Sequence, residues 1–201
     1  MKPSPVRVFA VFKRHYQLIP LEVYGSDPYK TLVSTLLSSR TRDETTFTVC
    51  EHLFKKVKNF HQLGQLGELE ISNLIYPVGF YKTKAKHLKK LAEKILNDFE
   101  EKVPDTLDSL VSLPGVGRKT ANIVLARAFR IPAIVVDTHV HRIANALGWV
   151  YTKTPDQTER ELTKILPKKY WLSANKLMVS IGRQYRSKRQ LEKFLKSQKL
   201  I

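Results

Sequence analysis

Cysteine is nearly absent: Cys50 is the single one in 201 residues. One thiol excludes an intramolecular disulfide framework and any multi-cysteine zinc or iron–sulfur site. Cys50 falls in the apolar stripe Phe47, Cys50, Phe54 and Val57, which reads as a core thiol. Long hydrophobic runs are missing too. Val8–Phe12 and Ala133–Val136 are the longest, far short of the roughly 20 residues a membrane span needs. Lys13 and Arg14 end the first run too early for a signal peptide. The expectation is a soluble, intracellular protein with no membrane contact. Strand-like alternation of useful length, internal repeats and low-complexity linkers are lacking as well.

Acidic residues are scarce: 18 against 35 Lys and Arg, for a formal net charge of +17. Hydrophobic residues make up 42%, ordinary for a globular chain, so the charge is no sign of disorder. Solubility needs only a few net charges. A folded domain this basic suits a polyanion, nucleic acid first. The length corresponds to one to one and a half domains at about 150 residues each. That is enough for a sizeable core without disulfides or metals.

What is present is helical periodicity. Phe9, Phe12 and Tyr16 share a face in the first segment. Asp27-Pro28 supplies a cap and a proline suited to the first helical position, opening a helix with Leu32, Val33, Leu36 and Leu37. Ser38–Arg42 breaks it, and Asp43 reads as the cap of a helix over Phe47–Val57. Gly64 and Gly67 punctuate before a short helix that ends ahead of Pro77. After a turn at Gly79, Lys82–Phe99 carries Ala85, Leu88, Ala92, Leu96 and Phe99 on one face. Lys82, Lys84, Lys86, Lys89, Lys90 and Lys94 encircle that helix and read mostly as a solvated face, with one or two meeting phosphates. Helices follow over Asp105–Leu113, through Ala121 to Ala128, and from Asp137-Thr138 onward. Thr154-Pro155-Asp156-Gln157 has the spacing of a capping box and opens Gln157–Leu166. Tyr170–Ile181 and a basic tail complete an all-α chain of about ten helices. In the tail, Leu191, Phe194 and Leu195 predict a helix that docks by one face. The alternative there is a frayed, solvated end.

Leu113-Pro114-Gly115-Val116-Gly117-Arg118-Lys119-Thr120 joins two helices through a tight turn. Gly115 and Gly117 permit backbone conformations that a side chain would forbid. They also bare amide N–H groups at the start of the next helix, where the dipole favours an anion such as a DNA phosphate. Gly115, Val116, Gly117, Arg118 and Thr120 are the candidate phosphate contacts, which read backbone rather than sequence. The plainer reading is an ordinary helix–helix turn. Arg118 and Lys119 in so basic a chain favour the anion.

Leu113–Asn122, followed by Val136-Asp137-Thr138-His139-Val140-His141-Arg142, resembles the helix–hairpin–helix DNA glycosylases with a downstream Gly/Pro and Asp. It is most similar to the endonuclease III branch of base excision repair, in an archaeal-looking form. Leu36–Asp43, Val78–Ala85 and Leu166–Trp171 resemble other blocks of that family, so the likeness covers most of residues 25–182. It implies two α-helical domains with the active site in a cleft between them. One is a barrel over 22–132, with the helix–hairpin–helix at about 107–129. The other combines 1–21 with 133–201.

The resemblance implies that Lys119 attacks C1′ of a damaged nucleotide, forms an imine as the base departs, and cleaves 3′ by β-elimination. An unprotonated amine is required, and the helix N-terminus, Arg118 and the net positive field all disfavour the cation. Spacing alone allows a phosphate-binding lysine equally well. Asp137 reads as a helix cap, and the resemblance gives it a catalytic role, activating the amine and stabilising positive charge on the sugar. Asp137, His139 and His141 are not expected to hold a metal, because residues two apart on a helix face apart. A monovalent cation on the hairpin carbonyls would be structural.

The extruded base leaves a hole, which the family fills from two loops that correspond here to Arg40 and Phe80. Arg40 stands where bacterial members have glutamine. Core packing is the alternative for Phe80. Many members carry a four-cysteine iron–sulfur cluster after the equivalent of Gly182. Gly182–Arg189 and the residues after it hold no cysteine, so no cluster and no other cofactor is expected. The implied activity is a monomeric, cytoplasmic, nucleoid-associated DNA glycosylase/AP lyase acting on oxidised pyrimidines in damaged duplex DNA. A mismatch, uracil/thymine or oxidised-purine glycosylase on the same scaffold is the alternative. A non-catalytic helix–hairpin–helix DNA-binding module is another, against which the presence of both Lys119 and Asp137 speaks.

Overall fold

A computed structural model describes residues 2–201. The described residues form helices and no strand. In order they are α1 (Pro5–Arg14), α2 (Pro28–Ser38), α3 (Asp43–Lys56), α4 (Phe60–Gln65), α5 (Glu68–Ile75), α6 (Tyr81–Asp98) and α7 (Leu107–Val111). Then come α8 (Arg118–Ala128), α9 (Thr138–Ala146), α10 (Pro155–Ile165), α11 (Trp171–Gln184) and α12 (Lys188–Ser197). Short 3-10 turns lie at Pro20–Tyr24 and Lys168–Tyr170. None of these helices is long and apolar enough to cross a membrane. The chain divides into two compact units, Pro20–Arg130 and the remainder, which joins the residues up to Ile19 with Ile131–Ile201.

In the Pro20–Arg130 unit, α2 is buried on nearly every side, from Tyr29 to Leu37. It packs against α3 and α8, while α6 packs against α4 and α5 through Leu88, Leu91, Ala92 and Ile95. Asp27 caps α2 as its sequence requires, accepting the Lys30 amide at 3.0 Å. The start of α3 differs from the expectation. Arg42, in extended backbone, is its N-cap, and Asp43 and Glu44 occupy the first turn, where carboxylates complement the helix dipole. Gly64 is no punctuation either. It lies inside α4, where an added Cβ would come within 3.0 Å of Leu96 Cδ1, so it serves close packing on α6. Cys50 is buried, and burial pushes its thiol up to about 12. It is an inert core group.

The other unit is built from α1 and α9–α12 around Phe9, Phe12, Val140, Ile143, Leu147, Trp149, Leu162, Met178 and Ile181. Tyr16 lies beyond the end of α1 yet packs on this core. Ala133–Val136 is buried and unladdered, and the Asn175 side chain donates to the Val135 carbonyl at 3.2 Å. The predicted box at α10 forms only by half. Thr154 accepts from the Gln157 amide, but the Gln157 side chain reaches one residue further back, to the Lys153 amide. The complete capping box belongs to α12, between Ser187 and Gln190. Leu191, Phe194 and Leu195 of α12 are buried, and Phe194 stacks on Tyr185 with centroids 4.3 Å apart. The tail is therefore a docked helix, not a frayed end.

Candidate nucleic-acid interface

The hairpin runs from α7 through residues 112–117 into α8. Leu110, Leu113 and Val116 are buried and pin the turn from inside. The Val116 amide donates to the Leu113 carbonyl at 3.1 Å. Gly115 adopts φ +78°, and a Cβ there would sit 2.7 Å from His87 Nδ1 on α6. Glycine is thus required twice, by conformation and by space. Gly117 differs from the expectation. Its φ of −92° is ordinary extended backbone, and a Cβ would meet nothing within 4 Å. What its missing side chain leaves is open approach to the first amides of α8.

Gly117 caps α8 without a side chain, and no acidic residue stands in the first turn. Arg118 and Lys119 take the first two helical positions, exposed, with Thr120 half-buried behind them. Two cations at the positive end of a helix dipole are an unfavourable arrangement that an anion relieves.

Two loops stand near this turn in the same unit. Arg40 follows α2 with φ 50°, and Phe80 precedes α6 with φ 57°. Bulky residues in the left-handed region are uncommon, and such strain clusters at functional sites. Phe80 is 60% exposed, so it is not a core residue. The Arg40 guanidinium lies over its ring at 5.4 Å. Arg40, Phe80, Thr83, Lys84, His87 and Gly115 help line one cavity of about 240 Å³.

In the other unit, Asp137 is half-buried and caps α9, its Oδ1 accepting from the Val140 amide at 2.9 Å. His139 points elsewhere, into the end of α11, where an added Cβ on Gly182 would fall 2.5 Å from its Nδ1. Burial lowers the His139 pKa, an effect that Arg142 and Arg183 reinforce and Asp137 opposes. Arg142 Nη2 donates to the Gly182 carbonyl at 2.8 Å. His141 bonds Thr158 at 2.6 Å. Among the described residues no three His, Cys, Asp or Glu side chains gather as a metal site.

Residues 33–168 match the family described as HhH-GPD superfamily base excision DNA repair protein. Endonuclease III of Thermotoga maritima is 45% identical over 79% of this chain and 75% of its own length. The chain belongs to the endonuclease III family. An endonuclease III-like protein of Mus musculus is 39% identical over 78% of this chain, which spans 53% of that longer protein. A solved structure of a trapped endonuclease III–DNA covalent intermediate superposes with a TM-score of 0.78 at 29% identity, covering 92% of this chain and 88% of the other.

In this endonuclease III family member the residues present supply a single thiol, not the four that the cluster considered from the sequence would need. Cys50 is buried in the Pro20–Arg130 unit, and the residues after Gly182 form the end of α11 and a cysteine-free α12. Two residues of the site were not legible in sequence. Lys84 counted there as solvated face, but it is 5% exposed and donates to Leu37 O at 2.7 Å, Ser39 O at 2.6 Å and Thr41 Oγ1 at 3.1 Å. His87, the neighbour that demands glycine at position 115, carried no signal at all.

Proposed function

We propose that this chain is a base excision repair DNA glycosylase and AP lyase that removes oxidised pyrimidines from damaged duplex DNA, acting as a monomer. The observation that carries the reading is Lys119: an exposed amine on the first turn of α8, beside the open amides of the hairpin, in an endonuclease III family member. The hairpin amides and Arg118 take a backbone phosphate. Unprotonated Lys119 Nζ then attacks C1′ of the extruded nucleotide. The C1′–N bond breaks, and the base leaves with the electron pair and gains a proton. The C1′–O4′ bond then opens, O4′ taking a proton, and the imine so formed between Lys119 Nζ and C1′ makes the C2′ proton acidic. Its loss expels the 3′ phosphate, and water releases Lys119. The family resemblance assigns to Asp137 the acceptance of the amine proton and the offset of positive charge on the sugar. Its cap bond uses Oδ1, which leaves Oδ2 for this task.

Borohydride trapping on duplex DNA with an oxidised pyrimidine tests the reading. Wild-type protein is expected to cross-link and cut. Lys119→Gln is expected to do neither while still binding DNA. Asp137→Asn slows base removal by about 100-fold or more, within the range for loss of general acid–base assistance. Trapping by Lys119→Gln at the wild-type level would show that another amine is the nucleophile. A panel of lesions and opposite bases separates oxidised pyrimidines from mismatched, deaminated or oxidised-purine substrates.

A further inference from the structure

Lys84 lies one helical turn after Phe80 on α6, buried, with no part in the chemistry above. Its ammonium has three N–H groups, and three acceptors take them: the Leu37 carbonyl, the Ser39 carbonyl and Thr41 Oγ1. The carbonyls lie at the C-terminal end of α2, where helix carbonyls lack partners and a cation is favoured. No basic residue in the last turn of α2 supplies that charge, so Lys84 brings it from α6. Burial pulls Lys84 down to about 8, which leaves it protonated at neutral pH with its full set of donors.

Thr41 completes the connection. Its hydroxyl donates to Ser39 O at 3.2 Å and accepts from the Gly79 amide at 3.0 Å as well as from Lys84. A hydroxyl has one donor and two acceptor sites, and all three are filled. Gly79 lies against the same loop so closely that a Cβ would be 2.5 Å from the Arg40 carbonyl. The loop carrying Arg40 and the loop carrying Phe80 are therefore joined by one closed polar network. Both exposed side chains project from left-handed backbone that this network braces.

We propose that Lys84 and Thr41 form a clamp that holds Arg40 and Phe80 as one rigid double wedge, and that through this wedge the clamp sets how readily a paired nucleotide leaves the stack. The inference rests on the glycosylase reading. Lys84 and Thr41 are positioning residues: they act through Arg40 and Phe80 and touch no substrate. A pre-formed wedge enters the duplex without first losing the freedom of two loops.

The test uses full-length protein and two measurements. In the first, a duplex carries an uncleavable tetrahydrofuran abasic site opposite 2-aminopurine, whose emission reports insertion of side chains beside it. Saturating wild-type protein is expected to change the emission. Thr41→Val and Lys84→Met are expected to give less than about half that change, since each removes three hydrogen bonds of the network and leaves the wedge incompletely formed. Thr41→Ser restores the hydroxyl and the response, whereas a role for the Thr41 methyl in packing predicts the reverse order. If Lys84→Met does not fold, the near-isosteric Thr41→Val carries the test alone. In the second measurement, single-turnover base removal is compared on paired and on single-stranded lesion DNA. The clamp variants are expected to slow the paired substrate about tenfold and the single-stranded one little. Equal emission changes in wild type, Thr41→Val and Lys84→Met overturn the clamp, as does no change with the wild type. A wild-type emission change without excision of any lesion overturns the glycosylase reading instead and leaves the clamp standing.

Discussion

Two glycines two residues apart in the hairpin look equivalent in sequence and do different work. Gly115 is demanded by the fold, through its positive φ and the His87 ring. Gly117 is not, since its backbone is extended and its missing side chain faces open space. Gly115→Ala is expected to destabilise the protein by about 1–3 kcal/mol, from a strained φ and a displaced His87. Gly117→Ala should leave melting within about 0.5 kcal/mol of wild type yet weaken DNA binding, because the methyl stands where a phosphate must approach the α8 amides. Thermal melts and a DNA titration on both variants check the pair. Equal melting losses would erase the distinction. Lys119 and Asp137 were singled out in the sequence by the family resemblance, and the structure places Lys119 in the first turn of α8 and Asp137 as the cap of α9. Lys84 was not singled out. Six lysines around one helix look alike in a periodicity count, and only the packing of α6 beside the end of α2 singles one out.

At the scale of elements, local rules found the helices and misplaced some ends. Asp27, Thr154 and Asp137 cap their helices where the sequence places them. The start of α3 was missed because Asp serves both caps and first turns, and the choice fell to the extended backbone at Arg42. Gly64 was read as a break because its reason for being glycine lies on another helix. The last helix was legible in its apolar triplet, and its environment gives that triplet weight. Phe194 touches Phe12, His15 and Tyr185, so α12 covers core that α1 and α11 would otherwise expose. Phe194→Ala is expected to cost about 3–5 kcal/mol, measured by denaturant unfolding. Deleting residues 187–201 should lower the melting temperature further and remove basic side chains from solvent-facing positions. A deletion with unchanged melting and unchanged DNA affinity would leave α12 without a structural or binding role.

For the whole molecule, the decisive quantity is where the excess charge goes. Ion pairs among the described residues include Lys30–Asp27, Lys89–Glu93, Lys94–Asp98, Lys164–Glu161 and Lys188–Glu192, each three or four residues apart on the chain. Such local pairs occupy scarce acids on single helices and are worth little in stability. Each pairs one cation with one acid and so leaves the net charge of +17 unchanged. Arg118 and Lys119 are exposed in one unit and Arg189, Lys193 and Lys196 in the other, and repulsion within each group is relieved when a polyanion binds. Each phosphate neutralised releases condensed counterions, so log affinity falls with log salt by about 0.9 per contact. Binding to undamaged duplex is expected to show a slope of roughly −4 or steeper, corresponding to at least four phosphates. Gly117→Ala should shift the line downward with little change of slope, because it removes no charge. Lys193→Gln with Lys196→Gln should flatten it if α12 reaches the backbone. Fluorescence titrations from about 50 to 200 mM salt span the range over which such contacts weaken binding by orders of magnitude. A flat line would mean that the cations serve something other than DNA, and the phosphate-binding reading of the hairpin would fall with it.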